Sequence, residues 1–285
     1  MKRRRTGVLF AVLALIGVGI LAYPTVADQW NTYRQQKLIT SYSETVSDAD
    51  DDTIEQAWAA AKAYNRSIGQ SNVYSDAFAD EGSSLEDSEY WQVLNLAGDG
   101  VMGWISIPKI DVEIPIYHGT SSEVMETGAG HMSGSQLPVG GVGNHAVLAA
   151  HRGLPSAKLF TDIDQLEEGD MFYLYILDET LAYEVDQILP MVDKDDMVTL
   201  SEALATVEGE DYVTLFTCTP YGVNTHRLLV RGHRVPFTGD EEDDSLLPET
   251  VRHYYAIYLM VGLAAAFVFI LVIRTRMRKL TEKRS

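Results

Sequence analysis

One cysteine in 285 residues excludes an internal disulfide, so Cys218 is either a small buried hydrophobe or a working thiol. Its setting favours the thiol. It ends an apolar, β-like run, Arg227 follows nine positions later, and the chain carries export signals, which lead to compartments where free thiols are uncommon. Basic residues are also scarce, 22 against 41 acidic, for a formal net charge of −19. Residues 1–6 carry +4 and residues 274–285 carry +5, which leaves −28 for the stretch between them. So acidic a stretch argues against nucleic acid or an anionic lipid surface as partner, because both would be repelled. One cysteine and seven dispersed histidines give no zinc-ligand spacing, and no oxygen-ligand loop of recognised spacing is present, so neither metal nor cofactor is expected. Internal repeats and low-complexity tracts are absent as well.

Charge is missing from two long stretches. Residues 7–26 are apolar behind Lys2-Arg3-Arg4-Arg5, a length that crosses a bilayer with the N-terminus held inside. A cleaved signal peptide competes for residues 1–27, since Thr25-Val26-Ala27 closes the run with a small residue. Residues 254–273 are again uncharged and precede a basic tail, 274–285, which reads as a stop-transfer helix. The two spans agree on one expected topology: both termini cytoplasmic and the stretch between the spans, with Cys218, extracellular at the cell membrane.

Between the spans the texture changes twice. Residues 28–100 are polar and acidic, and hold one expected amphipathic helix. Asp52-Thr53-Ile54-Glu55 has capping-box spacing, and Ile54, Trp58, Ala61 and Ile68 recur at helical intervals. From residue 101 to 236, short apolar or alternating runs are separated by Pro, Gly, Asn and Asp clusters. They are 104–107, 112–117, 145–150, 171–176, 181–188, 213–218 and 228–230. This is the signature of a mainly β fold, a sandwich or closed barrel. Residues 237–253 form an acidic linker.

A cysteine nucleophile needs a proton carrier. Of the seven histidines, His151 ends the run 146–150 just before a turn, Arg152-Gly153-Leu154-Pro155, so it stands at a strand mouth as Cys218 does. His145 alternates to the same face and is a rival. Arg227 opens the strand after the Pro220-Tyr221-Gly222-Val223-Asn224 turn, where it either stabilises developing negative charge or pairs with a surface carboxylate. Arg152 has no assigned chemistry. A papain-like protease also joins Cys to His, but its cysteine precedes the histidine and opens a helix, the reverse of the order here.

Leu148-Ala149-Ala150-His151-Arg152-Gly153-Leu154-Pro155 and Thr217-Cys218-Thr219-Pro220-Tyr221-Gly222-Val223-Asn224-Thr225-His226-Arg227 resemble the active-site signature of sortases, specifically class C, the pilus-assembling group. Residues 98–103, 116–120 and 156–162 add to the resemblance, which covers about residues 98 to 234. It implies an eight-stranded sortase-type β-barrel with an N-terminal helical and lid segment and two transmembrane helices. It also implies a cysteine transpeptidase that cleaves a Leu-Pro-x-Thr-Gly-like sorting signal through a thioester on Cys218. His151 would carry the proton and Arg227 would hold the oxyanion. The acceptor would be a lysine amine of a pilin subunit. The alternatives are a sortase that attaches surface proteins to peptidoglycan and a non-enzymatic scaffold on the same barrel.

Class C enzymes carry a lid with an Asp-Pro-aromatic motif, and Asp76-Ala77-Phe78 resembles it with the proline missing. The resemblance implies that Asp76 pairs with Arg227 and that Phe78 covers Cys218. Without proline the lid has more conformations to lose on closing, so it is expected to open more readily. Leu247-Pro248-Glu249-Thr250-Val251 is laid out like a sorting signal itself, with Val251 where glycine is usual, and is read as linker. The sequence does not identify the pilin, the resting state of the lid, whether residues 1–27 are cleaved, or the oligomeric state.

Overall fold

A computed structural model describes residues 2–69, 76–78 and 88–239 of the chain. Residues 27–238 make one compact unit. Its framework is a barrel of eight strands: β1 (Val101–Ile107), β2 (Val112–His118), β3 (Ala129–His131), β4 (Asn144–Ala149), β5 (Met171–Ile176), β6 (Glu179–Asp193), β7 (Asp211–Thr219) and β8 (His226–Val235). They close in the order β1-β2-β3-β4-β7-β8-β6-β5. Closure satisfies the backbone of every strand and leaves no edge for another chain to join. Two pairs are parallel, β2 with β3 and β4 with β7, and the others are antiparallel.

Seven strands fall on the expected apolar runs. The eighth, β3, is Ala-Gly-His, too short to show a period. Its glycine is needed because β3 runs so close to the chain after β2: a Cβ on Gly130 would lie 2.3 Å from the Gly119 carbonyl oxygen.

Successive side chains point to opposite faces of a strand. On β4, β7 and β8 both faces are apolar. Ala146, Leu148, Val213, Leu215, Leu228 and Val230 belong to the main core. Val147, Ala149, Phe216 and Leu229 belong to a second cluster on the opposite face. A second layer therefore has to cover these three strands from outside, and the candidate site lies in that layer.

The helices are α1 (Lys2–Asp48), α2 (Asp51–Ile68), α3 (Glu89–Gln92), α4 (Ser122–Thr127) and α5 (Met197–Ala203). α1 runs on well past the expected span at 7–26. From residue 27 onward it docks on the barrel through polar groups at helical spacing. The amide of Lys158 donates to Asp28 Oδ1 at 2.8 Å, and Asn31 Nδ2 donates to the Ser156 carbonyl at 2.7 Å. Gln35 Nε2 donates to the Thr127 carbonyl at 2.8 Å, and Tyr42 Oη bridges the Met102 carbonyl and the Leu177 amide at 3.1 and 2.8 Å. A face built of Asp, Asn, Gln and Tyr has no hydrophobic period, which is why residues 28–48 do not read as a packed helix.

α2 is capped two residues before the expected position, with Asp50 Oδ1 accepting from the Thr53 amide at 2.8 Å. Ile54, Trp58 and Ala61 are buried as expected, but the fourth buried position is Asn65, not Ile68. Asn65 Oδ1 accepts from the Leu137 amide at 2.7 Å, and its Nδ2 donates to the Leu137 carbonyl at 3.1 Å and to Asn144 Oδ1 at 2.9 Å.

Among the described residues no helix is long and apolar enough to cross a membrane. The first expected span begins on residues 7–11, whose side chains lie outside the description. The second, 254–273, lies wholly outside it, as do residues 240–253 with Leu247–Val251.

Candidate active site

Cys218 and Arg227 are directly opposed across the antiparallel β7–β8 pair, and Phe216 is opposed to Leu229. Opposed residues share a face, so thiol and guanidinium point outward beside the second apolar cluster. On the other side of β7 lies β4, with Ala149 level with Phe216. The chain leaves β4 there, and His151 stands two residues beyond Ala149. The Ala150 amide donates to the Phe216 carbonyl at 3.2 Å, and Thr217 Oγ1 donates to the Ala150 carbonyl at 2.7 Å. His151, Cys218 and Arg227 thus sit at one end of three adjoining strands.

Residues 76–78 cover this end. Arg227 Nε donates to Asp76 Oδ1 at 2.9 Å, and Nη2 pairs with Asp76 Oδ2. The remaining fork is aimed at backbone, with Nη1 donating to the carbonyls of Asn224 and His226 at 3.1 and 3.0 Å. The guanidinium is therefore held in one plane from both sides. The Phe78 ring lies 5.4 Å from the His151 ring and 6.0 Å from that of Phe216, centroid to centroid, with the Arg227 guanidinium carbon 5.2 Å from its centre. Phe78 caps the imidazole and the strand beside the thiol. Ala77, a position the sequence marked only for its missing proline, is 1 % exposed and joins Met125, Met132, Val147, Phe216 and Leu229 in the outer cluster.

Burial under this cover pushes the Cys218 thiol up to about 11. Arg227 opposes that rise, and the Asp76 carboxylate adds to it. His151 is held below the ordinary imidazole value by burial, with Glu126 pulling the other way. Near neutral pH the covered site therefore holds a thiol beside a neutral imidazole.

The rival histidine, His145, is at the far end of β4. Its Nδ1 meets the Ala205 carbonyl at 2.9 Å and its Nε2 meets Thr214 Oγ1 at 2.8 Å, and burial pushes it down to about 4. Both nitrogens are occupied, so it acts as a packing residue. Phe216, which floors the site under Phe78, was not singled out in the sequence. Its only signal was its place two residues before Cys218, on the same face of an apolar run.

Comparison with known proteins adds family to geometry. The sortase-domain profile matches residues 105–235. Sortase A of Bacillus anthracis is 31 % identical over 158 residues, covering 54 % of this chain and 70 % of that protein. Among solved structures, a sortase C of Streptococcus pneumoniae studied for catalysis and pilin substrate specificity superposes with a TM-score of 0.65 at 44 % identity, covering 70 % of this chain and 97 % of that one. Sortase C1 of Streptococcus agalactiae gives 0.63 at 46 % identity, over 70 % of this chain and 99 % of that one.

Proposed function

This chain belongs to the sortase family, with class C enzymes as its structural neighbours, and from that premise we propose that its cysteine transpeptidation joins pilin subunits through residues Cys218, His151 and Arg227. The observation that carries the reading is the opposition of Cys218 and Arg227 on β7 and β8, with His151 at the end of the adjoining β4. Cys218 Sγ attacks the threonine carbonyl of a Leu-Pro-x-Thr-Gly-like signal while its proton passes to His151. The imidazolium then protonates the leaving glycine amine as the carbon–nitrogen bond breaks, which leaves a thioester. A lysine amine of a second pilin attacks the thioester, His151 takes its proton, and an isopeptide bond forms as the thiolate leaves and is reprotonated.

Arg227 Nε and Nη2 serve the oxyanion of both tetrahedral intermediates. In the covered state those two donors are taken by the Asp76 carboxylate, whose oxygens stand in for the substrate's oxygen. Binding of the sorting signal therefore requires residues 76–78 to leave. The likeness to pilus-related sortases supports pilins as substrates. The apolar stretches 7–26 and 254–273, each flanked by basic residues, support anchoring in the cell membrane with residues 27–238 outside.

Intact-mass analysis after incubation with a Leu-Pro-x-Thr-Gly peptide tests the reading. A peptide-sized adduct with the native chain, absent from Cys218→Ala, is expected. Offering the loaded enzyme a pilin lysine or a peptidoglycan amine separates polymerisation from wall anchoring. Transfer to the wall amine alone would overturn the pilin assignment.

A further inference from the structure

His151 and Cys218 are each flanked by residues tied to the other's strand. On one side, Thr217 Oγ1 donates to the Ala150 carbonyl at 2.7 Å. On the other, Arg152 Nη1 donates to Thr219 Oγ1 at 3.3 Å. The period of two in β7 sends Thr217 and Thr219 to the face away from Cys218, so both ties run behind the reacting groups. The first tie stands next to a backbone bond, from the Ala150 amide to the Phe216 carbonyl at 3.2 Å, that already joins the end of β4 to β7. The second depends wholly on Arg152, which follows a histidine that has already left β4.

Arg152 is well placed for that duty. Its Nε donates to the Thr161 carbonyl at 3.0 Å, and Nη2 pairs with Asp164 at 2.6 Å. Its side chain is 11 % exposed. One planar fork therefore gathers the loop at 161–164 and the end of β7 around the residue after His151, a reach that a single ammonium cannot reproduce. The Phe160 amide, which donates to the His151 carbonyl at 3.2 Å, belongs to the same loop.

We propose that Arg152 is a positioning residue for acyl transfer: by bridging Thr161 and Asp164 to Thr219 it fixes the offset between the His151 imidazole and the Cys218 thiol. This rests on the assignment of Cys218 and His151 above. The amide reaction uses the imidazole twice in forming the thioester, to accept the thiol proton and to deliver it to the leaving amine. A thioester analogue of the same peptide uses it once, because its leaving thiolate needs no proton. A misplaced imidazole therefore harms the amide more.

The test uses the full chain in an Asp76→Ala background, so that uncovering the site does not limit the rate. Arg152→Gln is expected to lower kcat for the amide peptide by about 10- to 100-fold with KM little changed, the scale of an ångström misplacement. The loss on the thioester analogue is expected to be about tenfold smaller. Thr219→Val should behave likewise, the double variant should be no slower than the worse single one, and Arg152→Lys should recover only part of the rate. Equal losses on both substrates, a loss carried by KM, or additive effects of Arg152→Gln and Thr219→Val would overturn the proposal. Cys218→Ala in the same background isolates the other failure: an acyl adduct that survives there means that Cys218 itself was misassigned.

Discussion

At the scale of single residues, cover acts on the Cys218 thiol by charge as well as by bulk. Burial keeps Cys218 protonated to about pH 11, and Asp76 adds to that by pairing with the cation opposite the thiol. Asp76→Ala removes the carboxylate and frees Arg227 to favour thiolate. Iodoacetamide labelling of Cys218 followed against pH should have its inflection near 11 in the native chain and clearly lower in Asp76→Ala. An unmoved inflection would mean that Asp76 acts by occlusion alone. The sign is that of a group whose value is raised in the covered state: cover is fully stable below the free thiol's range and is lost as pH climbs through the raised value. His151 has the opposite sense, since its depressed value means that cover weakens as pH falls below the free imidazole range. The covered state is thus most secure between those limits. Much of this residue layer was legible in the sequence, because a lone cysteine, a strand-end histidine and a strand-opening arginine stand out as types. The ties of Arg152 were not, because a hydrogen bond to Thr219 at a separation of 67 residues leaves no local trace.

At the scale of elements, the described contacts of residues 76–78 with the barrel are an ion pair, a ring and a methyl group. The methyl is the tight part. Ala77→Leu would overpack a buried position at a cost of about 1–3 kcal/mol to the covered state, and Cys218 labelling at neutral pH should quicken by about 5- to 150-fold. Ala77→Pro works through the uncovered state, and at about 0.4–1 kcal/mol should slow labelling by about 2- to 5-fold if the ring is accommodated. Unchanged labelling in both variants would sink the idea that this triplet governs access. Docking of α2 is a separate matter and turns on Asn65. Asn65→Leu strands the Leu137 amide and the Asn144 side chain, at about 1–3 kcal/mol, with a fall in Tm of about 2–4 °C per kcal/mol. The strands were legible because alternation and turn residues are local signals. β3 and the second half of α1 were not, since one is too short for a period and the other docks by polar side chains whose partners lie about 60 to 135 residues away.

At the scale of the whole molecule, burial pushes both His131 and His145 down to about 4. Depressed values mean that their contribution is complete above the ordinary imidazole range and is lost as pH falls toward 4. Glu113 and Asp211 are raised by burial and act in the opposite direction, so they offset part of the loss just above the ordinary carboxylate range. Calorimetry should show Tm falling steadily between about pH 6.5 and 4, and a flat Tm across that window would contradict the neutral state of these two histidines.

The order in which the barrel closes has a further consequence. β8, the last strand along the chain, is inserted between β7 and β6. A chain assembled from its N-terminal end can pair β1 to β6 and even lay β7 beside β4, yet it still has a gap one strand wide, and that gap adjoins Cys218. Until residues 226–235 arrive, the thiol has no guanidinium opposite it and Asp76 has nothing to grip. Self-restraint and competence therefore depend on the same strand, so a chain without β8 in place has neither the guanidinium opposite its thiol nor the anchor for residues 76–78.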